Sequence, residues 1–214
     1  MAKLKNVDTA PLAQIEQSEN MQVSTLLTDQ EAAVNFFHKG HEIPNKRNQF
    51  MKLEAGKNRL RFIGHPISGF LFFGKVVRED GSETVKPYRK PESEGEFSLE
   101  EMINRDARTN KEGEIERQKY FIAGLVYNYQ KQKLQVLEIT QKSVLKALKS
   151  YVDSDEYGHP SGYDLTIEKK GDGLNTDYTV VASPPKPLAS DIEELVSEVS
   201  CDLEKIFAGE YPLG

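Results

Sequence analysis

Ten residues constrain this chain more than any others: YFIAGLVYNY, residues 120–129. The run is nearly continuous in apolar and aromatic side chains and far short of the 18 or so residues that cross a membrane. It reads as a β-strand buried on both faces. The turn NYQKQK and the run LQVLEIT (134–140) make it the first half of a hairpin. Upstream, Lys57-Asn58-Arg59-Leu60-Arg61-Phe62 alternates with period two, so that Leu60 and Phe62 point one way and Arg59 and Arg61 the other. HPISG is expected to turn, and FLFFGKVV (70–77) to form a second strand.

The remaining elements follow from their own signals. Residues 91–117 are charged and broken by glycines, an insertion in which Ser98-x-x-Glu101 caps a short helix carrying Leu99, Met102 and Ile103. QKSVLKALKSYV is an amphipathic helix, with Val144, Leu145, Leu148 and Val152 on one stripe and Lys142, Lys146 and Lys149 on the other. YDLTIEK, the turn KGDG and LNTDYTVV form a last hairpin, and SPPKP is a stiff extended exit. Near the start, Thr28-Asp29-Gln30-Glu31 is a capping box opening a short helix that ends at Gly40. Near the end, Ser190-x-x-Glu193 is another, opening a helix striped by Ile192, Leu195, Val196, Val199, Leu203, Ile206 and Phe207.

Two strands, an insertion, two strands, a helix and a hairpin is the order of an OB-fold, a five-stranded Greek-key barrel with its helix between the third and fourth strands. The expected fold is therefore mainly β with added helices: an OB-fold with a long insertion, an N-terminal short helix and a C-terminal amphipathic helix. The division is 1–44, arm and short helix; 45–188, OB-fold domain; and 189–214, acidic helix or tail. An open α+β sheet is the structural alternative.

Charge separates function classes. The net charge is −6, yet residues 44–90 hold 11 Lys/Arg against 4 Asp/Glu and residues 118–149 hold 6 against 1. The blocks 91–117, 150–180 and 181–214 are each net −5. Basic strands in an acidic chain suit a groove for a polyanion. One cysteine, Cys201, excludes an internal disulfide and any Cys-based zinc cluster, and no secretory leader is visible, so a cytoplasmic protein is expected. No cofactor, metal or membrane association is expected.

Two stretches have letters that could carry catalysis. Gly64-x4-Gly69 lacks the Lys-Ser/Thr of a phosphate loop. Asp164, Glu168 and Lys170 have the D…E-x-K order of metal-dependent nucleases, but a second converging carboxylate motif is lacking, and the same letters pattern a half-buried hairpin. A nuclease centred on these three is the alternative function, and a protein-interaction module acting through the C-terminal helix is another. The main reading is non-enzymatic.

Single-stranded nucleic acid needs cations for phosphates and flat faces for bases on one surface. Lys57, Arg59, Arg61, Phe72, Lys75, Arg78, Tyr88 and Arg89 offer both on the first strands. Lys119, Tyr127, Tyr129, Lys131 and Lys133 offer both on the next hairpin, and Lys170 touches its edge. Phe62 and Phe121 are assigned to the core; Tyr88, Tyr127 and Tyr129 rank highest as stacking platforms.

GKNRLRFIG, QKYFIAGLVYNYQKQKLQVLEIT and GHPSGYDLTIEKKGDGLNTDYTVVASPPKPL, in that order, resemble phage-type single-stranded DNA-binding proteins, the OB-fold replication proteins of tailed phages. The similarity covers roughly residues 48–188. It implies single-stranded DNA as ligand, a role in phage DNA replication or recombination in the host cytoplasm, and an acidic C-terminal segment that docks replication partners. The apolar stripe of that segment is long enough to bury against a partner, a second copy or the body of the protein itself. Many such proteins carry a Cys/His zinc cluster after the second strand; residues 79–117 here have neither residue.

Overall fold

The computed structural model describes residues 46–214. The short helix expected after Thr28 lies outside them. Six antiparallel strands make one sheet: β1 (Gly56–Val77), β2 (Glu83–Pro91), β3 (Lys119–Asn128), β4 (Lys133–Ile139), β5 (Asp164–Lys170) and β6 (Asp177–Ala182). Helices α1 (Leu99–Ile103), α2 (Lys142–Val152) and α3 (Ser190–Glu198) are added to it. The strand order is β4-β3-β1-β5-β6, with β2 paired to β1 off this path. Among the described residues β4 and β6 do not pair, so the sheet is open and no closed barrel forms. No helix among these residues is long and apolar enough to cross a membrane.

The two strands expected at 57–62 and 70–77 are one. HPISG does not turn the chain; it is the bulged middle of β1, where the pairing with β3 shifts between Ile63 and Ile67. Gly64 supplies the backbone at φ +65°, and Pro66 follows. Opposite the bulge is Gly124, where a Cβ would meet the Phe62 ring at 2.8 Å and Pro66 Cβ at 3.3 Å. The glycine in the middle of the apolar run therefore lets the bend close. Beyond it the far half of β1 pairs with β2, from Gly69↔Pro91 to Val77↔Glu83. Tyr88 and Arg89, expected on the first strands, lie on β2, which runs back alongside β1.

The apolar run is buried on both faces, as its composition demands. Val126 joins Leu60, Phe62, Leu137, Leu165 and Ile167 on one face, closed by Val144 and Leu148 of α2. Phe121 and Ala123 join Leu71 and Val136 on the other face, under Ile206; Leu125, Tyr127 and Leu134 lie under Ile192. Ser98 and Glu101 form the expected capping box at α1, with Ser98 Oγ accepting from the Glu101 amide and Glu101 from the Ser98 amide.

The C-terminal segment differs from its sequence reading. α3 ends at Glu198, its N-cap is Ala189 without a side-chain cap, and no capping box forms at Ser190. The stripe continues through extended chain to a short 3-10 turn, Leu203–Ile206. Its apolar residues pack on β1, β3 and β4. The stripe expected to serve a partner or a second copy is therefore covered by the protein's own sheet, while Asp191, Glu193, Glu194 and Glu198 remain exposed.

Candidate nucleic-acid interface

Arg59, Arg61 and Asp164 share one face because Arg59 pairs with Thr166 and Arg61 with Asp164 across β1 and β5. Asp164 is fully buried and is the hub of this face. Its carboxylate accepts from Arg59 Nη2 at 2.6 Å, Arg61 Nη1 at 3.2 Å and the Tyr129 hydroxyl at 2.8 Å, with Lys186 Nζ at 3.0 Å. Burial alone would raise its pKa. The hydrogen bonds from Arg59, Tyr129 and Lys186, with the Lys186 charge, outweigh that and bring it down to about 2. Burial and then the bond to Asp164 push the Tyr129 phenol up to about 12. Three cations against one carboxylate leave the hub with a surplus of two positive charges.

The two arginines fare differently. Arg61, expected to face phosphate, is 2% exposed and also donates to the carbonyls of Ser161 and Lys186, both at 2.7 Å. It is part of the scaffold. The Arg59 side chain is 46% exposed and lies 4.3 Å over the Tyr129 ring, held from below by Asp164. Tyr127, ranked as a stacking platform, is 8% exposed and covered by Ile192, so it is core.

On the neighbouring strand ends lie Lys57, Tyr129, Lys131, Lys133 and Lys170; Lys133, paired with Asn128, is on the Leu60 face of the sheet, opposite Arg59. The Tyr129 amide donates to the Arg59 carbonyl, and Gln130 Nε2 to the Lys57 carbonyl. Lys131 pairs with Glu54 at 2.9 Å and Lys170 with Glu168 at 3.2 Å, while Lys57 is exposed and Lys133 half-buried. Asp164 is thus occupied by its donors, and Glu168 lies 3.2 Å from the exposed Lys170. Among the described residues no three His, Cys, Asp or Glu side chains come together to hold a metal ion.

The other expected residues lie on the β1–β2 arm beyond the bulge, except Lys119 at the start of β3. Phe72, expected at the surface site, is buried between Tyr88 (5.4 Å, stacked) and Phe97 (4.8 Å, edge-on). Tyr88 is half-buried and flanked by Lys86 and Arg105. Arg89 is bound to Glu138 at 2.6 Å and largely covered. Lys75, Arg78 and Lys119 are exposed; Lys75 lies 3.8 Å from Glu83, and Lys119 lies 5.9 Å from the Phe73 ring. The expected set therefore divides into two groups and does not form one continuous strip.

One residue of this face has no counterpart among the sequence expectations. Lys186, in the proline-rich exit, has no local signal; only the fold brings it to Asp164. Tyr120 is 36% exposed and fixed by its hydroxyl to Glu92 at 2.9 Å. It stands beside Lys119 in the basic block 118–149, among the aromatics that block supplies.

No family model matches the chain, and no solved structure matches it significantly. A protein of Escherichia phage T5, named "Probable ssDNA-binding protein", is 25% identical over 183 residues, spanning 74% of this chain and 69% of that protein.

Proposed function

We propose that the chain binds single-stranded DNA without sequence preference, covering exposed strands during phage DNA replication or recombination. The observation that carries this is the Asp164 hub: the buried carboxylate holds Arg59 over the Tyr129 ring at the surface, beside the exposed Lys57, while the hub as a whole keeps a surplus of positive charge. A cation and a π-face, both preoriented, are what a phosphate and its base require. The T5 protein's name points the same way.

The pairing order supports an OB-type half-barrel. With β2 set aside as an inserted arm, the first long strand lies between the second and fourth, the fifth pairs with the fourth, and the helix joins third to fourth. An OB-fold is itself only partly closed. Recruitment of basic protein partners, on this reading, falls to the exposed acidic face of α3.

The test is a titration of the full chain with labelled oligo-dT, against duplex DNA and RNA of equal length. If about 4–6 phosphates are neutralised, log K against log salt slopes by about −3 to −4. Mg²⁺ or Mn²⁺ should leave the DNA intact. Equal affinity for duplex and single strand, or cleavage, defeats the proposal.

A further inference from the structure

A second surface, on the opposite side of the sheet from the C-terminal segment, touches the expected residues only at Lys119. Between α2 and the bulge of β1 lies a cavity of about 460 Å³ whose walls include Phe62, Pro66, Tyr120, Ile122, Leu145 and Val152. It adjoins a recess that shares Tyr120 and Leu145 and is edged by Lys119, Gln141 and Lys142. The floor is apolar because α2 covers the inner face of the sheet at Val144 and Leu148 but leaves Ile122 and Tyr120 beyond its edge.

The rim is basic. Lys142 and Lys146 stand one helical turn apart, about 6 Å along the axis. Neither has an ion-pair partner among the described residues. The acid lining the cavity, Asp153, is already paired with Lys149 at 2.7 Å. His159 completes one end, its ring edge-on to His65 at 4.7 Å.

We infer that this groove takes one nucleobase of a bound single strand, laid against Tyr120 and Leu145, with the flanking phosphates on Lys142 and Lys146. The inference rests on the function proposed above and adds a second contact point to it. Size and charge select this occupant. The cavity lies in the range of small-ligand pockets, roughly 300–1,000 Å³. An amphipathic helix would need a longer groove to seat anchors over two turns. Unpaired cations repeating along one edge suit an anion that repeats at a similar interval, and an apolar floor suits a flat, weakly hydrated ring.

Three measurements on the full chain decide it, each by oligo-dT titration. Lys142→Ala with Lys146→Ala should make the salt slope shallower by about 1.4, two phosphates' worth. Leu145→Trp, which fills the cavity, should weaken oligo-dT binding roughly tenfold without changing the slope, in keeping with the loss of one stacked base. An abasic strand of equal length should lose less of its affinity than oligo-dT on the Leu145→Trp change. A Leu145→Trp protein that melts normally and binds oligo-dT like the parent overturns the inference, as does an unchanged slope in the double lysine variant. Displacement of oligo-dT by poly-L-glutamate, charge for charge, makes the groove an acidic-peptide site and overturns it too. If these variants bind normally while Lys57→Ala and Arg59→Ala do not, this inference alone fails. If the parent does not bind oligo-dT, the proposed function fails with it.

Discussion

At the Asp164 end of the sheet three cations and a phenol converge on one buried carboxylate; along α2 two lysines stand unpaired beside an apolar cavity. Both regions come from basic blocks of the sequence, yet their charge is disposed oppositely. At Asp164 most of it is engaged in holding the fold, and what reaches the surface, the Arg59 guanidinium on Tyr129, is fixed in place. Such a group loses little freedom on binding. The α2 lysines keep long mobile stems and full charge, so their effect is salt-dependent and carries little orientation. Attraction follows the charge left unpaired by the fold, not the number of basic residues in a stretch.

The comparison is broken most directly at Asp164. Asp164→Asn leaves Arg61 buried against a neutral amide and should cost about 3–5 kcal/mol, read from urea unfolding. Lys142→Ala or Lys146→Ala should stay within about 0.5 kcal/mol. Equal effects at both places would erase the distinction. Acid gives the next largest effect. Asp164 titrates at about 2 in the fold and near 3.9 in an unfolded chain. Its contribution is present above pH 4 and is lost as pH falls toward 2, amounting to roughly 2–3 kcal/mol. Urea midpoints from pH 6 to pH 2 should show that loss in the parent and not in Asp164→Asn.

A smaller change sharpens the picture. Tyr129→Phe keeps the ring under Arg59 but removes the 2.8 Å bond to Asp164; a loss of about 1.5 kcal/mol is expected. The acid transition should move to higher pH, while oligo-dT binding weakens little because the π-face remains. The smallest effect belongs to Lys57→Ala: a salt slope shallower by about 0.7, with unfolding unchanged. A stability loss there would show that Lys57, too, is part of the scaffold.

Much of the fold was legible because it lies in periodicity. The run 120–129, the α2 stripe, the Ser98 capping box and the last hairpin all stand where their patterns put them. What misled was local chemistry overruled by distant contacts. His65-Pro66 after Gly64 reads as a turn, but β3 pairs across it and makes it a bulge. Alternation placed Arg61 beside Arg59 correctly; it could not reveal that Ser161, Asp164 and Lys186 close over one and not the other. Tyr127 lost its expected exposure to Ile192, 65 positions later in the chain. Arg61→Ala or Tyr127→Ala, chosen from sequence as probes of DNA contact, should therefore unfold the protein. The groove beside α2 was within reach: its lysines were seen as a helix face, but the apolar floor opposite depends on where β1 bends.

The covering of β1, β3 and β4 by residues 192–213 also sets a timetable. Those strands leave the ribosome well before Ile192 and Ile206, and the Gln49 side chain bonds to the backbone of Leu213, 164 positions away. For that interval Leu71, Phe121, Ala123 and Val136 form an apolar sheet face without the cover that Ile206 and Phe207 give it among the described residues. Closure over so long a separation is slow relative to local pairing. A nascent chain halted after β6 is thus the form most prone to stick to its neighbours or to a chaperone.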